Sequence, residues 1–74
     1  MNARNLVIDF LQGKGVDTNK LTNDTLLMRH IQSIDFMELI VRAETEMGRE
    51  LDLESVQIEE ISSLSGFIAW LEKV

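Results

Sequence analysis

The chain has no cysteine, no proline and no tyrosine, and only four of its 74 residues are glycine. Without cysteine there is no disulfide to staple a small fold and no thiolate to hold a metal. Without proline and with little glycine, few residues oppose a helix. Positive charge is scarce: seven Lys and Arg stand against 13 Asp and Glu, a formal charge of −6. Nucleic-acid binding is thereby disfavoured, because neutralising phosphates takes basic side chains. An acidic surface suits a partner that offers a basic patch. No run approaches the roughly 20 apolar residues of a membrane span. The apolar stretch at residues 5–11 is too short for a signal peptide and is interrupted by Asp9, so the cytoplasm is the expected address.

What the chain does have is 45% apolar residues, enough for a packed core. Its length allows one domain, residues 1–74. Periodicity predicts four helical stretches. The first covers residues 3–12, with Leu6, Val7, Phe10 and Leu11 on one face, and is ended by Gly13 and Gly15. Residues 16–32 form a long connection with turn chemistry at Asp17, Thr18, Asn19, Thr22, Asn23 and Asp24. Its apolar Leu21, Leu26, Leu27 and Met28 are expected to lie against the core. A second helix follows over residues 33–47, with Ser33 as N-cap, Asp35 in the first turn and Gly48 at the end. A third, short stretch covers residues 54–60. The fourth runs over residues 63–73, capped by Ser62 or Ser63, with Leu64, Phe67, Ile68 and Leu71 facing the core and Trp70 flanking them.

The second helix carries the most information. At about 100° per residue, Phe36, Leu39, Ile40, Ala43 and Met47 share one side, an ordinary core stripe. Asp35, Glu38, Arg42 and Glu46 share another, mostly acidic. Ile34, Met37 and Val41 make a second apolar stripe away from the core. An apolar strip beside acidic groups has the composition of a partner site, where apolar contacts hold and charges steer. The plainer alternative is that this stripe packs under the long connection and that Ser33 is only a cap. The acidic stripe also predicts lower stability at low salt, where repulsion is least screened.

Enzymatic readings find little support. A nucleophilic serine would need His30, the single histidine, with a third group behind it, and no oxyanion donor or pocket is identifiable. Glu59 and Glu60 are adjacent and so do not face each other on a helix. No carboxylate spacing fits a calcium loop, and no glycine-rich phosphate motif occurs.

The run Ser33-Ile34-Asp35-Phe36-Met37-Glu38-Leu39-Ile40 resembles the signature of acyl and peptidyl carrier proteins, Asp-Ser-Leu/Ile-Asp, two intervening residues, then Glu-Leu. The likeness continues through Glu44-Thr45-Glu46-Met47-Gly48, Glu50-Leu51 and Glu60-Ile61-Ser62-Ser63-Leu64. It departs just before the serine: Gln32 stands where the family has Asp, and the family's Gly a few residues earlier is absent from Met28-Arg29-His30-Ile31-Gln32. Arg42 inside the acidic stripe is a second departure.

The resemblance implies an all-α four-helix bundle with a long first loop and a short third helix. It implies a non-catalytic carrier, a monomer, holding acyl intermediates of fatty-acid, polyketide or related synthesis as thioesters. The cofactor is 4′-phosphopantetheine, attached to Ser33 from coenzyme A by a phosphopantetheinyl transferase. Ile34, Met37 and Val41 dock onto acyl-loading and acyl-processing enzymes, while Asp35, Glu38 and Glu46, with Arg42 among them, meet the basic patches of those enzymes. Phe36, Ile61 and Ala69 are the residues placed to border a cavity for cargo. With Met1 at its start and four helices filling its length, the chain is expected to stand free of any synthase. An aminoacyl or peptidyl carrier, and an interaction module never modified, remain alternatives; Gln32 favours the latter.

Overall fold

Four α-helices organise the computed structural model, which describes residues 2–74: α1 (Ala3–Gly13), α2 (Ser33–Met47), α3 (Ile58–Ile61) and α4 (Leu64–Lys73), with no strand among the described residues. The apolar stripes read from the 3.6-residue period point inward. Val7, Phe10 and Leu11 of α1, Phe36, Leu39, Ile40 and Ala43 of α2, and Leu64, Phe67, Ile68 and Leu71 of α4 are all buried. Met47 is half-buried at the margin of this core. Trp70 does not merely flank it. Its ring is buried, 5.8 Å from Phe67, which in turn lies 5.3 Å from Phe36, so three rings run through the centre.

The third helix is shorter than its expected 54–60 span. Residues 54–57 are turn and extended chain, and the helix starts only at Ile58. Two local bonds hold that turn: Asp52 accepts the Glu54 N–H through its side chain at 3.1 Å, and its carbonyl accepts the Ser55 hydroxyl at 3.2 Å. Side chains of this kind compete with helical pairing.

The long connection is stitched into the fold by its backbone. Leu27 N–H donates to the Ser62 carbonyl at 2.9 Å. The Leu64 and Ser65 N–H groups donate to the Thr25 and Asn23 carbonyls at 2.8 and 3.0 Å. Ser63 accepts the Gly66 N–H through its hydroxyl at 3.1 Å. Every orphan donor at the head of α4 is thereby satisfied. Of the four apolar residues expected to lie against the core, only Leu27 is buried and Leu21 half-buried. Leu26 and Met28 are exposed, because a 3-10 turn at Leu27–Arg29 rotates them outward, and Ile31 is buried instead.

At the far end of α2, Gly48 adopts φ +71°, the left-handed conformation glycine tolerates best. The Glu44 carboxylate then accepts the Leu51 N–H at 2.8 Å and draws Leu51 into the core.

Gly66 allows α3 and α4 to meet. A Cβ built there runs into the Glu60 carbonyl oxygen and also crowds the Ser63 hydroxyl. In an open helix Gly→Ala stabilises by about 1 kcal/mol. Here overpacking against backbone costs about 1–3 kcal/mol, enough to reverse the sign. Gly66→Ala is therefore expected to lower the urea midpoint, and a raised midpoint would show that α3 moves aside freely.

Candidate functional site

The α2 helix begins differently from the sequence expectation. Gln32, not Ser33, is the N-cap, with extended backbone, and Ser33 is the first helical residue. The Asp35 carboxylate reaches back to accept the Gln32 N–H at 3.1 Å. This arrangement closes the helix start without the serine. Ser33 is exposed, and its hydroxyl joins no hydrogen bond to another described residue. The backbone N–H groups of Ser33 and Ile34 also take no carbonyl of the described chain, unlike their counterparts in α4. Free N–H groups at a helix start, together with the helix dipole, favour an anion there.

The second apolar stripe is on the surface. Ile34 is 74% exposed, Met37 50% and Val41 56%, so it does not pack under the long connection. Beside Ser33 lies an apolar pocket of about 240 Å³, lined by Met28, Ser33, Phe36, Met37, Ile58 and Ser62. Its rim continues into the exposed Ile58 and Met28. Of the residues expected around an internal cavity, Phe36 lines this pocket. Ile61 is buried in the core instead, and Ala69 faces outward on α4, off the core stripe. Two other concavities have mixed linings: a 450 Å³ one at residues 50–54, and a 270 Å³ one lined by Asn2, Asn5, Leu6, Asp9, Arg42 and Glu46.

The acidic side of α2 is not uniformly acidic in space. Lys14, at the C-terminal cap of α1, places its Nζ 2.9 Å from Glu38 Oε2 and 3.3 Å from Asp35 Oδ1. This cation offsets part of the negative charge at the head of α2. Arg42 and Glu46 are exposed one turn apart, away from Ser33. The Gln32 N–H, and secondarily Lys14, hold the Asp35 carboxyl below its ordinary range. The hydrogen bond to Glu38, and then that to Asp35, raise Lys14 above its ordinary range.

These directions fix the sign of a pH effect. A carboxyl with a lowered folded pKa contributes stability above its unfolded value, and that contribution fades as pH falls through the folded one. Lys14 contributes below its unfolded value and ceases to as pH rises through the raised one. Asp35→Ala is therefore expected to lower the urea midpoint at pH 7. The gap from the parent narrows as acid protonates Asp35; a constant gap down to acid pH would assign the effect to helix packing instead.

His30 is exposed and no hydrogen bond joins it to Ser33 among the described residues. Among the same residues, no three His, Asp or Glu side chains gather closely enough to hold a metal ion, and no helix is long and apolar enough to cross a membrane. Two features escaped sequence reading: Gln32 as the cap, and Lys14 as a partner of α2. The capping-box spacing from Gln32 to Asp35 signals the first; nothing local signals the second, which joins residues 21 and 24 positions apart. Comparison with protein-family models, curated proteins and solved structures gives no match.

Proposed function

We propose that this chain is an acyl carrier protein, a four-helix bundle of that type, modified on Ser33 with 4′-phosphopantetheine. The observation that carries the reading is the free Ser33 hydroxyl. A serine at a helix start ordinarily earns its place as a cap, yet here Gln32 and Asp35 do that work and Ser33 is left exposed. The carrier-type run from Ser33 to Ile40 supports it further, as does the exposed stripe of Ile34, Met37 and Val41.

The residues around Ser33 fit such an arm. The Ser33 and Ile34 N–H groups, at the positive end of α2 and without a carbonyl partner, would favour the negative charge of a phosphodiester on Ser33. Met28, Phe36, Met37 and Ile58 offer apolar surface beside it. When attached, the arm supplies a terminal thiol that holds the cargo as a thioester. Ser33 Oγ would give up its proton to a base on the transferase, which also brings Mg²⁺, and bond to the pantetheine-side phosphorus of coenzyme A as the pyrophosphate P–O bond breaks and adenosine 3′,5′-bisphosphate leaves. Ile34, Met37 and Val41 then bury against the enzymes that load and process the acyl group. Asp35, Glu38 and Glu46 meet their basic residues, and Arg42 narrows the choice of partner. On this reading the protein is a cytoplasmic monomer that makes and breaks no bond of its cargo.

The test is the intact mass of the protein after incubation with coenzyme A, Mg²⁺ and a panel of phosphopantetheinyl transferases. A gain of one phosphopantetheine group supports the carrier. Gln32 favours the second reading, an unmodified interaction module, because the family places Asp there. Gln32→Asp keeps a good cap residue and restores that charge. Modification of this variant alone would mark a carrier that needs a specialised transferase, and silence in both would leave the interaction module.

A further inference from the structure

Two of the carboxylates assigned to docking are already occupied. The cation on them belongs to the chain itself. Lys14 Nζ sits between Asp35 and Glu38, and also lies 5.5 Å from the centre of the Phe10 ring. Its backbone is held at the end of α1, where its N–H donates to the Leu11 and Phe10 carbonyls at 3.0 and 3.2 Å. The ammonium therefore hangs from a fixed point at the edge of the face formed by Ile34, Met37 and Val41. Both carboxylates belong to the first two turns of α2, on the side of the apolar stripe away from Ser33. Together they carry two negative charges, of which Lys14 offsets one.

A partner that approaches this face with a lysine or arginine meets Lys14 in its path. It must displace Lys14 from Glu38 or share the pair. An exposed ion pair is weak, so displacement is accessible at ordinary affinities. We infer that Lys14 acts as an internal competitor for the basic side chain of a docking partner, and so sets how strongly a cationic, apolar surface binds at the head of α2. The occupant is a protein helix or patch presenting a basic residue beside apolar ones, as charge complementarity with Asp35 and Glu38 requires. Partners with a single weakly placed cation are held off. Those with a well-placed arginine fork, able to engage a carboxylate at two points, win the exchange. The inference rests on the docking assignment of α2 in the proposed function, but not on modification of Ser33.

The probe is a short fluorescent helical peptide of leucine and lysine, titrated into the unmodified protein and read by anisotropy. Removing one positive charge from contact with the face changes attraction by an amount worth roughly threefold to tenfold in affinity at low salt. Lys14→Gln is expected to bind the peptide that much more tightly than the parent. Lys14→Arg keeps the charge and is expected to bind the peptide no more tightly than the parent. The gain should shrink as salt rises to about 0.5 M, where exposed charges are screened within a few ångströms. Adding Met37→Ser to Lys14→Gln should abolish the gain, since it removes apolar contact from the strip without adding a charge. Equal binding by parent and Lys14→Gln at low salt, or a gain that survives Met37→Ser, would overturn the inference. The mass measurement on Ser33 is independent, so a carrier without the Lys14 effect, and a Lys14 effect without a carrier, are distinct results.

Discussion

Ser33→Ala is expected to abolish attachment of phosphopantetheine completely while leaving the fold as stable as the parent. The first half follows from chemistry, since alanine has no oxygen to bond to phosphorus. The second half follows from where the serine sits. Gln32 is the cap, Asp35 closes the turn onto the Gln32 N–H, and no hydrogen bond to another described residue is lost with the Ser33 hydroxyl. A surface change of this kind stays within about 0.5 kcal/mol. Ser63 supplies the contrast. It heads α4 and its hydroxyl accepts the Gly66 N–H at 3.1 Å. Ser63→Ala should cost about 1 kcal/mol, the usual worth of a cap. Urea titration and intact mass on the same two variants separate a serine kept for the fold from one kept for reaction. If Ser33→Ala instead lost as much stability as Ser63→Ala, Ser33 would be structural and the case for modification would lose its main support.

Phe67→Ala should be the most damaging single substitution to the fold. Phe67 is fully buried on α4 and touches the rings of both Phe36 and Trp70. Removing a buried phenylalanine side chain costs about 3–5 kcal/mol, through lost burial and the cavity left behind. A 74-residue domain has roughly 4–11 kcal/mol in all, at typical stability per residue. The variant is expected to be largely unfolded at 37 °C, or to melt far below the parent. Phe36 also forms a wall of the pocket beside Ser33, so any folded fraction should show a disturbed pocket. The matching control is Ile34→Ser on the exposed stripe, expected to leave the urea midpoint nearly unchanged because little burial is lost. Similar losses from both substitutions would mean that the Ile34 stripe is packed in solution.

The two serines and the aromatic row also show where local and long-range physics divide. The core stripes of α1, α2 and α4 were legible because helical period is a local property: Val7 and Leu11, Phe36 and Ile40, or Leu64 and Ile68 align whatever else the chain does. The outward stripe of Ile34, Met37 and Val41 was visible by the same rule. Its exposure was not, since burial depends on whether another segment covers it. The long connection turned out to spend its backbone groups on the head of α4, leaving that stripe uncovered. The order of the cap was a matter of one residue: Ser33 and Gln32 compete for the same position, and the reach of Asp35 to the Gln32 N–H settles it. Gly66 carries no pattern of its own that points to the Glu60 carbonyl set against it. Lys14 lies at the end of α1, and only the packing of α1 against α2 brings it to Asp35 and Glu38. Helix position, facing and charge pattern thus come from neighbours a few residues apart. Which serine caps, which stripe stays open and which cation answers the acidic face depend on contacts between distant segments, where no short-range pattern reaches.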